Sequence, residues 1–173
     1  MKIIINESQL RLIVENEEEK EKLFSIHSSM VEGEGDVNSL MELYNNFKDI
    51  KGYDGIRLIG DFVLSYYYGS VYELCEELVM VSGNLEIFNR KGIKLPKLRL
   101  VSKNLELSFT NFITLPELEI VGENLELYKT KIESLPKLNK VGGYLNLQES
   151  PLSNMITEKE LRQQINVKGS ILL

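Results

Sequence analysis

VSKNLELSFTNFITLPELEI, residues 101–120, runs without a break into VGENLELYKTKIESLPKLNK, residues 121–140. VSGNLEIFNRKGIKLPKLRL at 81–100 stands ahead of them in the same register, and a partial block, VGGYLNLQESPLS, opens at Val141. A fixed period of 20 residues marks a stacked-repeat architecture, in which each unit covers the apolar face of the next. Such chains offer an extended surface to a partner, so the period points to binding before any single residue does.

Within each block NLEI or NLEL alternates polar and apolar residues, the period of a half-buried strand. Leu85 and Ile87, Leu105 and Leu107, Leu125 and Leu127, and Leu145 and Leu147 are thus expected to point inward as four aligned rungs. Ile93, Phe112, Ile132 and Leu152 supply the next apolar position, and Leu-Pro pairs follow at Leu95, Leu115 and Leu135. Proline cannot donate a ladder hydrogen bond, so these pairs belong on the turning arc.

Ahead of the regular blocks, IRLIGDFVLSYYYGSVYELCEELVM reads as a degenerate first repeat, with Phe62 and Leu64 at the inward strand sites and Val71 and Leu74 on the arc. At the other end VKGSILL, from Val167, lays over VGGYLNL, from Val141, after 26 residues instead of 20. The longer connection carries a capping-box pattern at Thr157 and Glu160 for a short helix seated by Leu161 and Ile165. The expected fold class is therefore α/β: a single right-handed parallel-strand solenoid over 53–173, with a capping helix at about 157–166 and a final strand over 167–173.

Residues 1–52 read as a helical N-terminal cap. Leu10, Ile13 and Val14 follow helical spacing, Leu23, Phe24, Ile26 and Met30 suggest a second short stripe, and Gly33 and Gly35 break it. Val37, Leu40, Met41, Tyr44 and Phe47 then share one face of a third helix.

The repeats resemble the leucine-rich repeat family, in its short Leu-Pro form. Leu115-Pro116-Glu117-Leu118, Leu125-Glu126-Leu127, Ile132 and Leu135-Pro136 carry the likeness. Val141-Gly142-Gly143 and Thr130-Lys131-Ile132 are similar to the V-G-G-x-L-x-L version found in bacteria and tailed bacteriophages. The likeness covers roughly residues 58–173. Where that family has a ladder asparagine, this chain has Thr110, Thr130 and Ser150, whose hydroxyls would have to satisfy the turn backbone. The resemblance implies protein binding or a structural role, without enzymatic activity or a cofactor.

The whole chain of 173 residues is 43% hydrophobic and 27% charged, an ordinary globular balance. Its net charge of −6 argues against a nucleic-acid partner held through phosphates. No segment is apolar enough for a bilayer span or a signal peptide, and one cysteine excludes an intrachain disulfide. With the resemblance, this places the protein in the cytoplasm of a host cell or in a virion, with no membrane partner.

Glu86, Glu106 and Glu126 share one outward column, with carboxylates stacked about 4.8 Å apart. That column reads either as a docking strip or cation site, or as splayed, hydrated side chains diluted by nearby cations. Phe88 and Tyr128 fall in a neighbouring column, and Asn84, Asn104, Asn124 and Tyr144 in another. Aromatics on such a face anchor protein interfaces, or else pack against a neighbouring arc or the N-terminal cap.

On the opposite arc Lys97, Glu117 and Lys137 alternate in sign, and Arg99 faces Glu119, a pattern of inter-repeat pairing. His27 and Cys75 lie far apart in sequence, and Cys75 sits beside Leu74 and Leu78 where a buried inert thiol is expected. The Tyr66–Tyr68 run lacks the basic groove that base stacking needs.

The reading is a non-enzymatic protein-interaction module that presents Glu86, Phe88, Glu106, Glu126, Tyr128, Tyr144 and Asn146 to a protein partner. The alternative is a structural or accessory component of a bacteriophage virion.

Overall fold

The computed structural model describes residues 23–27, 44–45, 53–64 and 72–173. The stripe expected at Leu10, Ile13 and Val14 and the Tyr66–Tyr68 run lie outside the described residues, as does most of the expected third helix. Of that helix Tyr44 and Asn45 are described; they are helical, with Tyr44 buried and Asn45 exposed.

The described chain winds as a parallel-strand β-solenoid of about four turns. Each regular turn contributes two short strands, so two parallel sheets run the length of the coil. The first contains, in spatial order, β1 (Leu23–His27), β2 (Gly55–Ile59), β4 (Leu78–Val81), β6 (Leu100–Val101), β8 (Ile120–Val121), β10 (Lys140–Val141) and β12 (Asn166–Val167). The second contains β3 (Phe62–Val63), β5 (Leu85–Glu86), β7 (Leu105–Glu106), β9 (Leu125–Glu126), β11 (Leu145–Asn146) and β13 (Ile171–Leu172).

The NLEL pattern predicts one strand per repeat, and the structure has two. The valine that opens each block, Val101, Val121 and Val141, is itself an inward strand residue with no solvent exposure. A bend at Ser102-Lys103 and its equivalents then turns the chain onto the second sheet. Close stacking at this bend leaves no room at Gly122, where an added Cβ would overlap the Ser102 carbonyl oxygen.

The core is a set of vertical columns. Leu85, Leu105, Leu125, Leu145 and Ile171 form one, and Ile87, Leu107, Leu127 and Leu147 the next. The arc closes it with Ile93, Phe112, Ile132 and Leu152, then with Leu98, Leu118 and Leu138. Each such side chain contributes about 1.5–3 kcal/mol by leaving water. Thr110 and Thr130 donate their hydroxyls to the carbonyls of Leu107 and Leu127 at 2.6 and 2.9 Å, so a hydroxyl does satisfy the turn there. At Ser150 the hydroxyl instead accepts from the Ser153 N–H at 3.3 Å.

Two ends depart from the regular pattern. Leu23–His27, expected as part of a helix, is a strand in parallel register with Gly55–Ile59. Leu23 and Phe24 are both buried, and the Phe24 ring meets Tyr53 edge to face at 5.6 Å. Pairing with the exposed edge of β2 therefore outweighs weak local helical spacing, a tertiary override of propensity. In the first repeat the arc contains helix α1 (Tyr72–Glu77), which buries Leu74 and Cys75.

At the far end α2 (Glu158–Gln164) begins at a capping box, in which Thr157 accepts from Glu160 N–H and the Glu160 carboxylate accepts from Thr157 N–H at 2.9 Å. Leu161 and Ile165 seat it on the core. Arg162 then donates to the carbonyls of Val167 and Gly169, both at 2.9 Å, and so ties the helix to the last turn. That turn pairs Val167 with Val141 and Ile171 with Leu145, the pairs that laying VKGSILL over VGGYLNL brings together.

Candidate functional site

The outward face of the second sheet is built from alternate residues of each strand. Val63, Glu86, Glu106, Glu126, Asn146 and Leu172 form one vertical column by direct pairing. The column is not a uniform row of free carboxylates. Glu106 folds back so that its Oε1 accepts from the Ser108 N–H at 2.7 Å, and Asn146 does the same for Gln148 at 3.0 Å. These side chains satisfy backbone donors where the strand passes into the arc, which lowers the cost of the stacked like charges.

Asn146 is buried, so its side chain is a structural cap and not part of an accessible face. Glu126 is half-buried, and its Oε1 is shielded from solvent without a direct hydrogen bond. Burial raises its carboxyl above the usual range. The Tyr144 hydroxyl lowers it, the Glu106 charge adds to the rise, and the Tyr128 backbone and Asn146 lower it again. Among the described residues no lysine or arginine forms a salt bridge with Glu86, Glu106 or Glu126.

Asn84, Asn104 and Asn124, expected on the outward face, instead staple the corner between the sheets. Each Oδ1 accepts from the next turn: from Asn104 N and Nδ2 at 3.2 and 2.9 Å, from Asn124 N and Nδ2 at 3.1 and 2.9 Å, and from Tyr144 N at 3.0 Å. Asp61 starts the same series by accepting from Asn84 N at 2.7 Å. It is an amide ladder, held at a corner where the sheet hydrogen bonds are interrupted. Tyr144 takes the asparagine's place at its far end and directs its hydroxyl toward Glu126.

The aromatic feature of the face is a strip of three rings. Phe88 and Tyr128 occupy equivalent positions two turns apart, and between them stands Ser108, which is small and buried. Phe109, one residue on, lies over that gap. Its ring meets Phe88 at 5.2 Å and 68° and Tyr128 at 5.3 Å and 82°, both edge to face. Phe88 and Phe109 nevertheless remain 45% and 39% exposed, so the strip is open on one side.

Phe109 belongs to a row of left-handed residues, one per turn: Asn89, Phe109, Lys129 and Glu149, with φ from 52° to 58°. A bulky side chain is costly in that region, where Asn is tolerated. Sequence reasoning singles out Phe88 and Tyr128 and misses Phe109. The available signal is Ser108, a small residue in an aromatic column, followed at once by a phenylalanine.

Lys129 lies over the strip, with its ammonium 5.5 Å from the Phe109 ring centre and 5.0 Å from that of Tyr128. Glu149 holds it there at 3.4 Å and also accepts from the Tyr128 hydroxyl at 2.7 Å. The Tyr128 hydroxyl, ahead of the Lys129 charge, draws the Glu149 carboxyl below its usual range.

The opposite side has a different logic. Lys97 meets Glu77 at 2.6 Å, Lys137 meets Glu117 at 2.6 Å, and Arg99 meets Glu119 at 3.0 Å. The expected column of alternating sign is Lys97–Glu117–Lys137; Lys97 instead reaches back one turn to the end of α1. A shallow hollow of about 230 Å³ lies among Asp54, Val79, Lys97, Arg99 and Glu117.

Cys75 is fully buried, and its thiol is pushed up to about 12 by burial, with a smaller contribution from Glu76. It is a protonated packing residue at neutral pH. Among the described residues no group of three or more His, Cys, Asp or Glu side chains is arranged to hold a metal ion, and no helix is long and apolar enough to cross a membrane. Comparison of the chain with known protein families, curated proteins and solved structures finds no match.

Proposed function

We propose that the protein is a non-enzymatic interaction module whose docking strip is the outward face of the second sheet, centred on Phe88, Phe109 and Tyr128. The observation that carries this reading is the three-ring strip itself, two of whose rings are 45% and 39% exposed. Clustered exposed aromatics are the usual anchors of a protein interface. The left-handed position recurs in every turn, and a phenylalanine there at Phe109 brings the third ring over the gap at Ser108.

Kinship with short Leu-Pro leucine-rich repeats, and a right-handed winding, belong to the same proposal. The 20-residue period, the Leu-Pro arcs and the strong handedness preference of parallel crossovers support them.

A photo-reactive phenylalanine analogue placed singly at Phe88, Tyr128 or Lys137 tests the docking reading in the protein's native cell. Cross-linking of one shared partner from Phe88 and Tyr128, and not from Lys137, is expected. Equal labelling from all three positions, or none from the strip, rules the strip out as the docking surface.

A further inference from the structure

Most described glutamates of the coil already have a cation or a backbone donor. Glu76, Glu77, Glu117, Glu119, Glu149 and Glu158 each form a salt bridge with a lysine or arginine of the same chain. Among the described residues, Glu86, Glu106 and Glu126 find no such cation. They stand in one column, in direct register, two residues along each strand from the aromatic column. An anionic column without a salt bridge thus borders an exposed aromatic strip.

We propose that this strip receives an extended, arginine-bearing segment of a protein partner. The proposal rests on the docking reading above and names the chemistry of its ligand. A guanidinium is the side-chain group that satisfies both neighbours at once: its flat face stacks on a ring while its fork of N–H donors reaches a carboxylate. An ammonium can lie against a ring and a carboxylate together, as Lys129 does, but it is a more strongly hydrated point charge with no flat face to stack and no fork to pair bidentately.

The protein already shows half of this arrangement. Lys129 places a cation against Phe109 and Tyr128 while Glu149 neutralises it, so these rings accept a cation in the folded chain. The carboxylate column on the other side of the rings has no such cation among the described residues. A segment carrying arginine at alternate positions presents guanidinium groups about 6.6 Å apart, within reach of successive turns about 4.8 Å apart given the length of the side chain.

The test uses the full chain and a fluorescein-labelled peptide, Gly-Ser-Arg-Gly-Arg-Gly-Arg-Ser-Gly, with its lysine counterpart, followed by fluorescence anisotropy. The arginine peptide is expected to bind about tenfold more tightly than the lysine peptide. The triple variant E86Q/E106Q/E126Q removes the charge yet keeps an acceptor for the Ser108 N–H, and is expected to weaken binding by about tenfold or more. Phe109→Asn, a residue suited to the left-handed site, is expected to weaken it similarly while the protein stays folded by circular dichroism. Lys129→Asn, at another left-handed site, removes a like charge and is expected to tighten it.

Equal affinity for the two peptides, or an unchanged affinity in the triple variant, would overturn the arginine proposal. If a partner is still cross-linked from Phe88 and Tyr128, the docking reading survives that result; if it is not, both fall. Self-association by sedimentation that disappears in Phe109→Asn would assign the strip to a second copy of the chain, and would also overturn the proposal.

Discussion

The two outer faces of the coil handle charge in opposite ways. On the arc side and along the first sheet, glutamate and lysine or arginine meet across turns, as in Lys137–Glu117 and Arg99–Glu119. On the second sheet, like charges are stacked in register; backbone donors offset part of the repulsion, while burial adds to the cost of the Glu126 charge. Both faces ride on the same columns of leucine, so the core does not demand the difference. A surface that only had to stay hydrated would be served by the first arrangement everywhere. The second leaves carboxylates without a salt bridge beside exposed aromatic area, the contrast on which the docking proposal rests.

The corner between the faces offers the largest disruption. Asn104→Ala removes the acceptor for Asn124 N and Nδ2 and the donor to Asn84, leaving partly buried backbone without its partner. A loss of about 2–3 kcal/mol is expected from chemical denaturation, because each unsatisfied group costs about 1–3 kcal/mol. A loss below about 0.5 kcal/mol would mean that water replaces the ladder and that the two faces are not coupled through it.

Charge removal should then have opposite signs on the two sides. Lys137→Met deletes a cross-turn pair whose partners are each more than a third exposed, so a destabilisation of only about 0.2–1 kcal/mol is expected, shrinking further in high salt. Glu126→Gln should stabilise instead. Its carboxyl is raised in the folded protein, so the folded state holds the proton more tightly than the unfolded one, and stability falls as pH rises through that raised value. The variant should therefore melt higher than the parent at neutral pH, with the gap closing in acid where Glu126 is protonated in both states. A melting series from acid to neutral pH that shows a constant gap, or one of the wrong sign, removes the contrast between the faces.

Much of this is readable from the chain alone. The 20-residue period, the inward leucines and the matching of VKGSILL to VGGYLNL all follow from hydrophobic spacing, which a stacked coil must respect. What is not readable has physical reasons. Val101, Val121 and Val141 each stand as a single inward residue just before the bend, without the second inward residue that NLEL supplies, so their sheet has no alternation to read. Leu23–His27 becomes a strand only because β2 offers an edge. A column of identical asparagines looks the same whether it faces a partner or staples its own backbone. Only the distance from Oδ1 to the N–H of the following turn separates the two. The aromatic strip is half-visible, since Phe109 sits one residue out of the column that holds Phe88 and Tyr128.

The left-handed residue in each turn is also a place where the chain can change without consequence for its interior. Asn89, Phe109, Lys129 and Glu149 share one backbone conformation and present amide, aromatic, cation and anion from it in turn. The core neither sees nor constrains which of these is present. A coil lengthened by one more block would gain one more such pin, about 4.8 Å further along. The row is in effect a short alphabet written on a ruler, where the exposed side chain can be exchanged letter by letter while the ruler stays the same.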